Sequence, residues 1–378
     1  MNSRERLLKV LNGEIPDCVP VAPDTSNMIP ARLTGRPFWD LYLYQDIPIW
    51  LAYLNCVRYF GFDSLMDGYV PILFEELGEI DRELQEVIVF RNDSRIVTQS
   101  YRLANGRKFW QDRVKVYYRD NPPTAGIRPQ AIGLPPEPAH FEPVVGRREW
   151  PTGGDLLALA KSEMGDNGLV GVFCGTSRLI QNEDEIYEFA DDPDKYYAKR
   201  DRLLEHVEQR FNKLMSLPVK PDFICTGGSG SLVFQTPETF RTLALPVIQK
   251  VTALCKAQGI PSHIHSCGPE KELVRIACLE TDLTVIDPLE VPPMGDCSLR
   301  ELKRLYGHKL VLKGNLHTTD IMLRGSVQDV IDAAKQAIDD AAAGGRFILS
   351  TGDQCGRDTP DANIRAMIET ARTYGRYC

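Results

Sequence analysis

Short apolar runs recur along this chain, each ending in small, polar or acidic residues. Eight stand out: Val19–Ala22, Ser64–Asp67, Leu169–Phe173, Phe223–Thr226, His263–His265, Leu283–Ile286, Leu310–Lys313 and Phe347–Ser350. Between most of them, apolar residues recur at helical spacing. Strand and helix alternating in this way predict a parallel sheet. Eight such strands predict an α/β fold in which residues 1–378 form a single (β/α)8 TIM barrel.

Several helices carry clear end signals. Asn2 or Ser3 caps the first, Glu5 sits in its first turn, and Leu7, Leu8, Val10 and Leu11 make its stripe. Gly13 and Pro16 end it. Ser326 with Asp329 makes a capping-box-like start before the stripe Val330, Ala333, Ala334, Ala337, Ile338 and Ala341. Thr359 and Pro360 open the last helix.

One region breaks the rhythm. Residues 87–118 alternate like strands, with turn chemistry at Asn92-Asp93-Ser94 and Asn105-Gly106. They predict an antiparallel β insertion after the second barrel strand. Residues 119–150 are rich in proline and predict a stiff, extended passage, either a connector or a lid over the barrel mouth.

Composition narrows the function. The formal charge is −8 and no basic stripe is present, which argues against nucleic acid as a partner. No apolar run approaches the ~20 residues that span a bilayer. Residues 1–6 lead into an amphipathic pattern and not into an apolar signal core. The expectation is a soluble, cytoplasmic protein. Its ten cysteines then read as reduced thiols, and Cys18, Cys56, Cys255 and Cys278 as small buried hydrophobes.

Cys267 and Cys355 stand apart because of their neighbours. The fifth run ends in His263-Ile264-His265-Ser266-Cys267, the sixth in Asp287-Pro288-Leu289-Glu290, and the eighth leads to Asp353-Gln354-Cys355. In a barrel, the C-terminal strand ends converge on one face. Imidazole and thiolate are preferred zinc ligands. His265, Cys267 and Cys355 are therefore candidate ligands, with Glu290 a displaceable fourth. Cys297 competes as a loop ligand, and His263 reads as a hydrogen-bonded core histidine. Three protein ligands leave an open position, the mark of catalytic zinc. With two thiolates, such zinc suits a thiol or a methylated donor better than a hydrolytic water.

The stretches Arg4-Glu5-Arg6-Leu7-Leu8, Leu11-Asn12-Gly13-Glu14, Pro16-Asp17-Cys18-Val19-Pro20, Lys313-Gly314-Asn315-Leu316 and Thr359-Pro360-Asp361-Ala362-Asn363-Ile364 resemble the uroporphyrinogen decarboxylase superfamily. That resemblance implies a (β/α)8 barrel. The true decarboxylases bind substrate carboxylates through arginines after the first strand, where this chain reads Ala22-Pro23-Asp24-Thr25-Ser26-Asn27-Met28. The pattern of His265, Cys267 and Cys355 is similar to that of the zinc-dependent corrinoid methyltransferases, including those acting on coenzyme M, although the Cys267–Cys355 spacing is longer. Cobalamin-independent methionine synthase resembles it too, with a glutamate where Glu290 stands.

What the resemblance implies is methyl transfer between a corrinoid (methylcobalamin) carried by a partner protein and either a thiol acceptor or a small methylated donor. Asp67 matches the decarboxylases' substrate-binding aspartate and, with Glu290, is a candidate catalytic residue. Asp24, Asn27, Asn315 and His317 are candidates for substrate or corrinoid contacts. Gly228 and Ser229, in the glycine-rich turn after the fourth run, would admit close approach of a bulky group. Two rival expectations stand beside this: decarboxylation of a polycarboxylate, and a non-catalytic partner of a corrinoid protein. Barrels of this kind often pair, so a homodimer is also an expectation.

Overall fold

Seven of the eight apolar runs form one curled parallel sheet in the computed structural model, which describes residues 1–176, 179–233 and 235–377. The first strand is β1 (Ser64–Met66). An inserted group follows: β2 (Gln85–Arg91), β3 (Arg95–Ala104), β4 (Arg107–Tyr118), β5 (Thr124–Ile127) and β6 (Glu142–Pro143). The chain then returns through β7 (Gly168–Phe173), β8 (Phe223–Gly227) and β9 (Ser262–His265). It ends with β10 (Val285–Asp287), β11 (Val311–Leu316) and β12 (Phe347–Thr351). The parallel sheet runs β1-β7-β8-β9-β10-β11-β12.

The first predicted strand, Val19–Ala22, departs from expectation. It makes an isolated bridge, Val21 with Leu349, and no regular strand. Pro20 has no N–H to give to a ladder, and the Val21 N–H goes to the Asp63 carboxylate at 2.9 Å. The segment nevertheless lies between the two edges of the sheet. Leu349 N–H donates to Pro20 O and Ala22 N–H to Leu349 O, both at 2.9 Å, while Asp63 N–H donates to Val21 O at 2.8 Å. Asp63 is fully buried and also meets Arg6 at 2.7 Å and Arg372 at 2.9 Å.

Strand alternation sorts the core into two faces. Val170, Ile224, Ile264, Ile286, Leu312 and Leu349 face the surrounding helices. Leu65, Leu169, Phe223, Val285, Val311 and Ile348 face inward and pack on Leu7, Val10 and Leu11. The helix Ser3–Leu11, with a capping box between Asn2 and Glu5, thus plugs the N-terminal end of the sheet. Each such buried aliphatic side chain contributes roughly 1.5–3 kcal/mol. The opposite end stays open for a pocket.

The insertion is larger than the pattern of residues 87–118 suggested. Its sheet runs β5-β4-β3-β2-β6, and the proline-rich passage supplies both edge strands. Edges are where proline is tolerated. Among the described residues, no helix is long and apolar enough to cross a membrane.

Candidate active site and metal centre

On β9, His263 and His265 point to the same face because side chains alternate along a strand. The register places Asp287 beside His265. Its Oδ1 lies 2.9 Å from His263 Nε2 and 3.3 Å from His265 Nδ1, and its Oδ2 meets Lys313 Nζ. Asp287, His263 and Lys313 are all buried. Burial alone would push the Asp287 carboxyl up, but Lys313 and the two histidines hold it well below the ordinary carboxylate range. His263 Nδ1 lies 3.2 Å from Asp67, just past β1. His263 is thus the bonded core histidine that its position suggested. Burial acts to lower its pKa, yet the carboxylates of Asp287 and Asp67 raise it.

Potential ligands gather above this layer. The ligand atoms of Asp24, His265 and Asp353 lie within 4.8 Å of one another, and so do those of Cys267, Glu290 and Asp353. Asp353 joins the two groups. His265 Nε2 is buried without a hydrogen-bond partner, while Nδ1 is held by Asp287. One imidazole nitrogen left open, one thiol and three carboxylates, those of Asp24, Glu290 and Asp353, form a donor set that fits zinc. The Gly268 N–H donates to Glu290 and fixes one of its oxygens.

Cys355 falls in neither group. It is buried against the Thr351 and Thr359 hydroxyls, and burial pushes its thiol up to about 12. Its backbone is tied to the loop after the first run: Cys355 N–H donates to Asp24 O, and Ser26 Oγ donates to Cys355 O, both at 2.9 Å. Cys297 is also buried away from these groups, 3.8 Å from Asp296.

A cavity of about 230 Å³ adjoins the ligands. Its walls include Asp24, Asn27, Asp67, Gly228, Ser229 and His265, all of them singled out from the sequence, together with Tyr69, Phe173 and Gln354. Among the described residues, none of the proline-rich passage is in its lining. Asn315 and His317 lie elsewhere. Asn315 donates to Leu289 O at 2.8 Å from a buried position. His317 Nδ1 accepts from Thr319 and Asp320 N–H at 3.2 and 3.0 Å and so caps the short helix Thr318–Leu323.

Besides Tyr69 and Phe173, four buried or clustered groups near the site have no role in the sequence reading: Asp287, Lys313, Asp353 and Glu270. The first three stood inside or beside quoted motifs, so strand-end position was an available signal. Glu270 is fully buried, accepts from Leu289 N–H at 2.6 Å and has a second oxygen without a partner. Burial and then Asp287 push its carboxyl well above the ordinary range.

The family model described as uroporphyrinogen decarboxylase (URO-D) matches residues 224–374, from β8 to the end of the last helix Asp361–Thr373. The match is to this segment alone, which is similar to that family. The segment carries His265, Cys267, Glu290, Asp353 and Cys355, whereas Asp24, Asp67, Tyr69 and Phe173 lie before it. No curated protein sequence matches the chain. A methyltransferase from Methanosarcina mazei is similar in structure, with a TM-score of 0.66 and 16% identity over 99% of both chains. At that identity the likeness shows a shared fold. A B12-independent methionine synthase from Shewanella sp. W3-18-1 overlaps 46% of this chain and 55% of its own, at 12% identity and a TM-score of 0.30. That score is too low to mark a common overall fold.

Proposed function

We propose that this chain is a zinc-dependent methyltransferase that moves a methyl group between the corrinoid of a partner protein and a thiol or small methylated substrate. In this reading the sheet and residues 19–22 act as a (β/α)8 barrel. The observation that carries the proposal is that two ligand groups, Asp24–His265–Asp353 and Cys267–Glu290–Asp353, share Asp353 at the strand ends, beside a cavity lined by Asp24 and Asp67.

His265, Cys267 and Glu290 would hold the metal, with Asp353 in place beside them. Cys355, on the same loop as Asp353, would complete the set by leaving its hydroxyl partners. Zinc, when bound, supplies Lewis acidity towards a substrate heteroatom or holds a thiol as thiolate. The chain does the rest. Asp287 fixes the His265 ring so that Nε2 faces the ligand groups, the usual task of a carboxylate behind a metal-bound histidine. His263 orients Asp67 at the cavity wall.

The superfamily's name favours a second reading, decarboxylation of a polycarboxylate. Among the described residues, no lysine or arginine is in the cavity lining to receive such a substrate. Metal analysis of the purified protein separates the two readings. Stoichiometric zinc that is lost in Cys267→Ala, with methyl transfer from methylcobalamin, supports the methyltransferase. A metal-free, folded and metal-indifferent wild type would sink it.

A further inference from the structure

We infer that the cavity takes a small methylated onium cation, a tertiary or quaternary ammonium, as its methyl-bearing substrate. This rests on reading the cavity as the methyl-transfer site, and it selects among the substrates which that reading leaves open.

Charge is the first argument. Asp24 and Asp67 both line the cavity. Lys313, the buried cation near them, is committed to Asp287. Asp67 lies 3.2 Å from His263 Nδ1. A thiol bearing a sulfonate or carboxylate would meet two acidic walls. A cation is attracted by both.

The aromatic walls are the second and independent argument. The Tyr69 hydroxyl donates to Ser26 O at 2.9 Å, and its ring stacks on Tyr53 with centroids 4.2 Å apart. The hydroxyl thus fixes one end of the ring, and the stack covers one of its faces. Phe173 lies against Gly68, where an added Cβ would stand 2.6 Å from its ring. Carboxylates with aromatic faces suit methylated ammonium groups, whose charge is spread over carbon and which need no hydrogen-bond acceptor. The cavity's 230 Å³ limits the ligand to a small one.

An onium nitrogen has no lone pair to give a metal and is already a leaving group, so this step needs no Lewis acid. The C–N bond would break with its electron pair kept by nitrogen, and a cobalt(I) corrinoid, as nucleophile, would accept the methyl carbon. The cation leaves as a neutral amine and loses its attraction to Asp24 and Asp67.

Calorimetric titration of the purified protein, without any corrinoid, tests this with choline, its neutral isostere 3,3-dimethylbutan-1-ol, and propane-1-sulfonate. Choline should bind roughly tenfold or more tightly than the alcohol, and the sulfonate should not bind. Asp67→Asn and Tyr69→Leu should each remove most of that preference, whereas Tyr69→Phe should keep it. If Asp67→Asn fails to fold, the two Tyr69 variants decide. Equal binding of alcohol and choline, or tighter binding of the sulfonate, overturns the inference. So does an absence of choline binding in a zinc-bearing protein that methylates thiols, a result that would leave the methyltransferase reading intact.

Discussion

Asp287 holds two histidines through a single oxygen, with Oδ1 2.9 Å from His263 Nε2 and 3.3 Å from His265 Nδ1. Its other oxygen is taken by Lys313. Asp287→Asn would leave Lys313 buried without its counter-ion, and removing one partner of a buried pair costs about 3–5 kcal/mol. Urea unfolding should show a loss of that order. The double variant Asp287→Asn/Lys313→Met should recover part of it, because the stranded charge is gone. If Asp287→Asn unfolds at the wild-type midpoint, the pair does not support the fold.

The donor set makes a spectroscopic prediction. Cobalt(II) in place of zinc shows thiolate-to-metal bands whose strength follows the number of bound thiolates. Cys267→Ala should lower the band, and Cys355→Ser should lower it again if Cys355 leaves Thr351 and Thr359 for the metal. The expected outcome is two thiolates in the wild type. A band that Cys355→Ser leaves unchanged would place Asp353 in the fourth position instead. His265→Ala should abolish metal binding, because no other imidazole lies in these two groups.

The site was partly legible because strand ends are. His265, Cys267 and Glu290 each stand at or just past the end of an apolar run, and the barrel's geometry alone argued that they meet. Asp24, Asn27, Asp67, Gly228 and Ser229 reach one cavity for the same reason. Asn315 and His317 sit at an equivalent strand end, yet a bond to Leu289 O after the neighbouring strand and a local bond to a helix start engage their polar atoms. Such competition leaves no periodic trace. The first strand failed similarly: its apolar pattern was right, but Pro20 and the Asp63 side chain replaced its ladder. The insertion was recognised by its alternation, while its edge strands were hidden in a proline-rich passage that breaks alternation.

Acid should expose the tie between the first helix and the sheet. Asp222 is bound by Arg4 at 2.6 Å, Lys161 at 2.8 Å and Val170 N–H at 2.9 Å. Burial pushes its carboxyl up, but these partners outweigh burial and hold it below the ordinary value. A carboxyl depressed in the folded state contributes stability above its unfolded pKa, about 3.9. That contribution is lost as the pH falls through the lower folded value. The wild type should therefore lose more stability between pH 6 and pH 3 than Asp222→Asn does, compared by urea midpoints. Parallel losses in the two proteins would contradict this assignment.

Gly68 separates the pocket from the fold. It has φ +66°, and an added Cβ would lie 2.6 Å from Phe173 Cε2. Phe173 is 41% exposed and so has room to move. Gly68→Ala should thus destabilise the protein chiefly through backbone strain, by roughly 1 kcal/mol. The larger effect should fall on the ligand, because Phe173 must swing off the wall that it shares with Tyr69 and Asp67. Affinity for a methylated ammonium should fall several-fold, with zinc content unchanged, since neither Gly68 nor Phe173 is among the clustered ligand groups. A second substitution, Phe173→Ala, removes the clash and the aromatic face together. If Phe173 binds the cation, the double variant should keep the loss from backbone strain and should not regain affinity. If affinity returns, Phe173 is only a spacer and the cation is read by Tyr69 and the carboxylates alone.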